Sequence, residues 1–198
     1  MKRLGTLYVF LCVLSITARA QELPVNPTTN KVTYTDILTE GDETKAKLFA
    51  KAKKWFVTKN TELNPYSITL ENEQEGSIVG KGTFPLPGDR RKYTVQFAVN
   101  IATKDGKCKY ELTDLVIKFR TNAGSSGGGW GGYGGSSYRE AETLEYSLET
   151  FYPSRLDSKK PVITWYEEIR SRAFEAIDKE MQSIAASLKQ SLVAKEDW

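Results

Sequence analysis

Five apolar residues at strict period two, Tyr93, Val95, Phe97, Val99 and Ile101, constrain this chain more than any other stretch. Successive strand side chains point to opposite faces. The pattern therefore requires a half-buried strand, with Thr94, Gln96, Ala98 and Asn100 pointing away from the core. Such a strand needs antiparallel neighbours and a cover for its apolar face.

The neighbours are legible on both sides. Residues 31–38 (KVTYTDIL) are rich in β-branched and aromatic types and read as a first strand. Tyr66, Ile68 and Leu70 alternate inward on a second. Glu75-Gly76 turns the chain into residues 77–84, where Ile78 and Phe84 share a parity with Gly80 and Gly82. Residues 85–89 (PLPGD) close the next turn, and Asp105-Gly106 is a strong hairpin signal. Beyond it Cys108, Tyr110 and Leu112 keep the inner parity, while Leu115, Ile117 and Phe119 take the opposite one. Keeping one face buried across that change predicts a β-bulge near Thr113-Asp114. Residues 138–152, with Leu144, Tyr146, Leu148, Phe151 and Tyr152, read as an edge strand or packing arm.

Two amphipathic helices supply the cover. Asp42 is placed to cap the first, over residues 43–59, where Leu48, Ala52 and Trp55 fall at i, i+4 and i+7 and Phe49 and Phe56 widen the stripe. Lys45, Lys47, Lys51, Lys53 and Lys54 crowd its remaining faces and read as a solvated surface. The second, over residues 163–193, repeats Trp165, Ile169, Ala173, Ile177, Ile184, Leu188 and Leu192 near helical period, with Ala176 and Met181 filling the stripe. The expected fold is α+β: an antiparallel sheet of about five strands with two helices on one face, in the order β-α-β-β-β-β-α.

The first twenty residues read as an export signal. Lys2 and Arg3 precede an apolar run over residues 4–16, too short to span a bilayer, and Ala18-Arg19-Ala20 offers small residues for cleavage after Ala20. The expected address is periplasmic or secreted. Residues 21–30 read as a linker and residues 31–193 as one domain. The leader holds Lys2, Arg3 and Arg19 and no acid, so its loss takes 28 basic residues to 25, against 25 acidic. A neutral chain gives no electrostatic case for nucleic acid. No later apolar run is long enough to insert stably in a membrane. With Cys12 in the leader, Cys108 stands alone without a disulfide partner.

Chemistry is sparse. There is no histidine, which removes Ser-His-Asp and Cys-His activation and the commonest zinc ligand. Acid pairs such as Glu71/Glu73/Glu75 and Glu167/Glu168 read as solubility features, and neither a metal nor another cofactor is implied. Cys108, on an inward parity, reads as a small buried residue rather than a reactive thiol. Residues 122–137 hold eight of the fifteen glycines and read as a mobile surface loop. Trp130 and Tyr133 on that loop are large aromatics in a segment otherwise poor in side chains. They are candidate binding residues, together with Thr94, Gln96 and Asn100 on the outward face of the clearest strand.

The order strand, helix, four strands, helix is that of the TATA-box-binding-protein-like fold, called helix-grip in some relatives. Residues 31–34 (KVTY), 46–56 (AKLFAKAKKWF), 76–84 (GSIVGKGTF) and 107–114 (KCKYELTD), with Tyr152-Pro153, carry a further likeness. Together they resemble a large family of secreted bacterial proteins known only as a domain of unknown function with that fold, over roughly residues 31–190. The resemblance implies the fold and carries over no catalytic residues; fold alone does not imply DNA binding. The expected function is a non-catalytic binding module of the envelope, with an envelope protein, peptide or glycan as partner. A structural or stress-related envelope protein and a histidine-free carboxylate hydrolase are the alternatives.

Overall fold

The computed structural model describes residues 23–86, 93–120, 124–126, 137–139, 141–152 and 165–194, with backbone alone for 124–126, 137–139 and 165–172. The elements in chain order are β1 (Tyr34–Thr39), α1 (Lys45–Lys59), β2 (Tyr66–Asn72), β3 (Ser77–Pro85), β4 (Tyr93–Lys104) and β5 (Lys107–Arg120). A two-stranded ribbon, β6 (Gly124–Ser126) with β7 (Ser137–Arg139), is followed by β8 (Thr143–Ser147), a 3-10 turn (Leu148–Thr150) and α2 (Trp165–Val193).

The main sheet runs β2-β3-β4-β5-β1, antiparallel throughout, and a sixth strand, β8, also pairs with β5. β1 takes Lys107 to Leu112 of β5, and β8 takes Val116 to Arg120. The two short strands therefore lie end to end along one edge of a single long strand. Within the segment 138–152 read as an edge strand or arm, Thr143–Ser147 is that sixth strand.

The bulge anticipated from parity is present. Gln96 pairs with Val116 but Ala98 pairs with Thr113, so β5 carries one extra residue there, and Asp114 adopts φ +52°. This restores Leu115 and Ile117 to the buried face after Cys108, Tyr110 and Leu112.

A second bulge overturns one inward assignment. Ile68 pairs with Gly80 but Leu70 pairs with Val79, so Thr69 is the extra residue on β2. Leu70 is turned outward, 63% exposed, and Glu71 swings to the helix side, where its carboxylate meets Lys53 Nζ at 3.0 Å. A regular alternation cannot survive an inserted residue.

Both described helices pack on the same face, α1 over β2, β3 and β4, and α2 over β1 and β5. The strict alternation of β4 holds: Val95, Phe97, Val99 and Ile101 are buried against the helices. Leu48, Phe49, Ala52, Trp55 and Phe56 of α1 and Ile177, Met181, Ile184, Leu188 and Leu192 of α2 complete the core. Trp165 and Ile169 lie where only the backbone is described. Trp55 Nε1 donates to Ser187 Oγ (3.2 Å), joining the two helices.

The glycines of β3 have a packing reason. A Cβ on Gly80 would stand 2.5 Å from the Phe56 ring and 2.6 Å from the Ser67 carbonyl. One on Gly82 would stand 2.4 Å from the Phe97 ring. Their bare faces admit an edge-to-face aromatic chain: Trp55 to Tyr66 at 5.3 Å between centroids, then Tyr66 to Phe97 at 6.0 Å.

Two expectations for α1 are corrected. Its N-cap is Thr44, not Asp42: the Thr44 hydroxyl accepts from Lys47 N, while Asp105 Oδ1 reaches across from the β4–β5 hairpin to accept from Lys45 N at 2.7 Å. Lys51 is not solvated but 6% exposed. Its ammonium donates to Glu43 Oε1 (2.9 Å) and to the Leu192 carbonyl (3.2 Å), serving the free C-terminal carbonyls of α2. Residues 23–33, the described part of the linker and the start of the first strand, fold back as a tight turn. Asn26 N donates to the Lys31 carbonyl, Thr33 N to the Pro24 carbonyl, and Leu23 is buried.

Candidate functional site

Among the described residues two regions offer groups to a ligand. The first is the sheet face opposite the helices. On β4 the outward residues Thr94, Gln96, Ala98 and Asn100 are half-exposed, as their parity requires. Their cross-strand partners are Pro85, Thr83, Lys81 and Val79 on β3, in the same order. On the other side Thr94 faces Lys118, Gln96 faces Val116 and Asn100 faces Glu111. Three of the five candidate residues thus stand in one line along the middle of the sheet. Trp130 and Tyr133 lie outside the described residues, in the segment bracketed by β6 and β7.

The second region is a cleft of about 470 Å³ between β1 and α2, lined by Thr33, Tyr34, Tyr110, Gln182, Ala185 and Lys189 among others. Asp178, which holds the hydroxyl of the lining Tyr34, is 2% exposed. Its Oδ1 accepts from the Tyr34 hydroxyl (2.8 Å) and its Oδ2 from Gln182 Nε2 (2.8 Å). Burial, together with this carboxylate, pushes the Tyr34 hydroxyl well above the ordinary tyrosine range. At the rim Lys189 Nζ meets Asp36 Oδ2 at 2.6 Å and lies 6.0 Å from the Tyr110 ring centroid.

Sequence reasoning did not single out this cleft. One signal existed: Tyr34 lies on the inward parity of β1, where a buried hydroxyl needs a partner. Its partner, Asp178, follows Ile177 on the apolar stripe of α2, and only the packing of helix on strand reveals the match.

The polar groups of the cleft are committed to one another. Both oxygens of Asp178 have donors, and the carboxylate of Asp36 is ion-paired. Cys108 is buried, which pushes its thiol up to about 11, so little thiolate forms at neutral pH. Among the described residues no group of three or more His, Cys, Asp or Glu side chains is placed to hold a metal ion. Among them, too, no helix is long and apolar enough to cross a membrane.

Residues 34–118 match the family model described as a domain of unknown function (DUF4468) with TBP-like fold. That stretch runs from the start of β1 through nearly all of β5. Two solved structures share the fold. A TBP-like protein from Parabacteroides distasonis superposes with a TM-score of 0.59 at 16% identity, covering 87% of this chain and 98% of that one. A DUF4468 family protein from Bacteroides ovatus gives 0.50 at 16% identity, covering 83% and 90%. No curated protein matches the chain. The fold read from the sequence is borne out, and so is the family resemblance over residues 34–118, short of the 31–190 expected.

Proposed function

We propose that this chain, whose residues 34–118 match the model of a domain of unknown function with TBP-like fold, is a non-catalytic binding module of the cell envelope, periplasmic or secreted. The single observation that supports this reading is the line of Thr94, Gln96 and Asn100 along β4, half-exposed and turned away from both helices. Beside Gln96 the neighbours Thr83, Ala98 and Val116 are short, while Lys81, Lys118 and Glu111 flank the line with charge. An envelope protein, peptide or glycan would meet short hydrogen-bonding side chains on a rigid layer. The leader over residues 1–20 supports the address, and the internally satisfied cleft supports a role other than catalysis.

The test places bulk on the line. Gln96→Trp and Asn100→Trp should each weaken capture of the envelope partner by tenfold or more while melting stays within a few degrees. Unchanged capture by both variants would end this reading. If the variants are tolerated while deletion of the gene weakens the envelope, the protein is structural instead.

A further inference from the structure

We infer that the sheet face turned away from both described helices docks on an anionic lipid surface through a cluster of lysines that no ion pair reaches among the described residues; this rests on the reading of that face as the binding surface. On the helix side three lysines are matched, Lys51 with Glu43, Lys53 with Glu71 and Lys189 with Asp36, while among the described residues no ion pair reaches Lys47, Lys59 or Lys179. The outward face carries Lys81, Lys104, Lys107 and Lys109, and among the described residues no ion pair reaches any of them. Lys118 on the same face is paired with Glu145, and Glu111 is the acid nearest in register, opposite Asn100.

Within this set the β4–β5 corner stands out. Lys104 is the direct cross-strand partner of Lys107, and Lys109 follows two residues on, opposite Ala102. Like charges placed directly opposite repel and weaken the pairing. Asp105, in the turn between Lys104 and Lys107, is the acid at this corner and accepts from Lys45 N; among the described residues no ion pair reaches either lysine, and an external anion would relieve the repulsion.

Aliphatic side chains on the same face decide which anion. Ile37 is 61% exposed and pairs in register with Lys109; Leu70 is 63% exposed and pairs with Val79. They occupy the two edge strands, β1 and β2, in neighbouring rows across the sheet. A soluble polyanion has no use for exposed isoleucine and leucine. A bilayer surface takes both, with phosphates against the lysines and the aliphatic tips at the acyl boundary. Lysine rather than arginine at the corner suits a diffuse field of headgroups better than bidentate recognition.

The experiment uses the full chain and its variants, so any contribution of residues 1–20 is common to all. Sedimentation with vesicles of phosphatidylcholine alone is compared with vesicles containing one third phosphatidylglycerol, alongside a duplex oligonucleotide as soluble polyanion. The expected result is an increment of binding on anionic over neutral vesicles that falls with salt. Lys104→Gln/Lys107→Gln/Lys109→Gln should reduce it on the order of a hundredfold, about fivefold per lysine. Ile37→Ser should weaken vesicle binding and leave any oligonucleotide binding unchanged. A melting curve for the triple variant no worse than that of the parent shows that the fold is intact. The proposal is overturned if the increment is absent, if the triple variant retains it, or if the oligonucleotide binds as well and Ile37→Ser has no effect. Loss of the lipid increment while Gln96→Trp still abolishes capture of another partner would remove this inference and leave the binding-module reading standing.

Discussion

Tyr34 donates its hydroxyl to Asp178 Oδ1 at 2.8 Å, and this bond joins the first strand to the last helix across 144 residues of sequence. Tyr34→Phe leaves a buried carboxylate short of a donor and should cost about 1–3 kcal/mol in urea unfolding. Asp178→Asn keeps an acceptor for the hydroxyl and should cost less. Equal stability of Tyr34→Phe and the parent would mean that the bond does not hold the helix.

The two glycines of β3 should respond differently to alanine. Both variants overpack the core by about 1–3 kcal/mol. At Gly82 the obstacles are the Phe97 and Tyr66 rings, so shortening one with Phe97→Leu should recover part of the loss in a double-mutant cycle. At Gly80 the Ser67 carbonyl remains at 2.6 Å whatever becomes of Phe56, so Phe56→Leu should recover little. Equal recovery at both sites would contradict the assigned contacts.

The Asp36–Lys189 pair sets the expected pH response. The hydrogen bond from Lys189, and then that from the Ile37 N–H, holds the Asp36 carboxyl below the usual range. The same bond to Asp36 raises Lys189 above the usual range. A depressed carboxylate contributes stability above its unfolded value, lost as pH falls through the folded one. A raised lysine contributes below its unfolded value and loses that contribution as pH rises through the folded one. The pair is half-exposed, so salt screens it. Asp36→Asn/Lys189→Met should flatten the stability profile both below about pH 4 and above about pH 10. An unchanged profile would show that the pair is silent.

Cys108 should label only on unfolding. Its thiol is buried and shifted upward, so native protein at pH 8 should resist iodoacetamide for hours. The rate should rise in step with the urea transition. Rapid labelling of folded protein would mean that β5 opens locally.

The sheet was readable where one rule acted alone. Tyr93 to Ile101 alternate without interruption, and the parity change between Leu112 and Leu115 located a bulge that Asp114 realises. Leu70 misled because the bulge at Thr69 precedes no second apolar run that would betray it. Lys51 misled because its neighbour on α2 is distant in sequence, and the end of that helix needed a donor. The basic corner was invisible for another reason: composition averages over the molecule, whereas strand register brings Lys104, Lys107 and Lys109 together at one end of the sheet. Trp130 and Tyr133 lie outside the described residues, so that part of the candidate site gained no geometry.

Because β1 and β8 share a single edge of β5, and Arg120 is the register partner of Thr143, the chain leaves and re-enters the sheet at one point. Whatever is written between those two residues closes on the same staple. The interval is therefore a natural splice port, where a foreign epitope or a longer spacer can be carried without resetting the register of any strand.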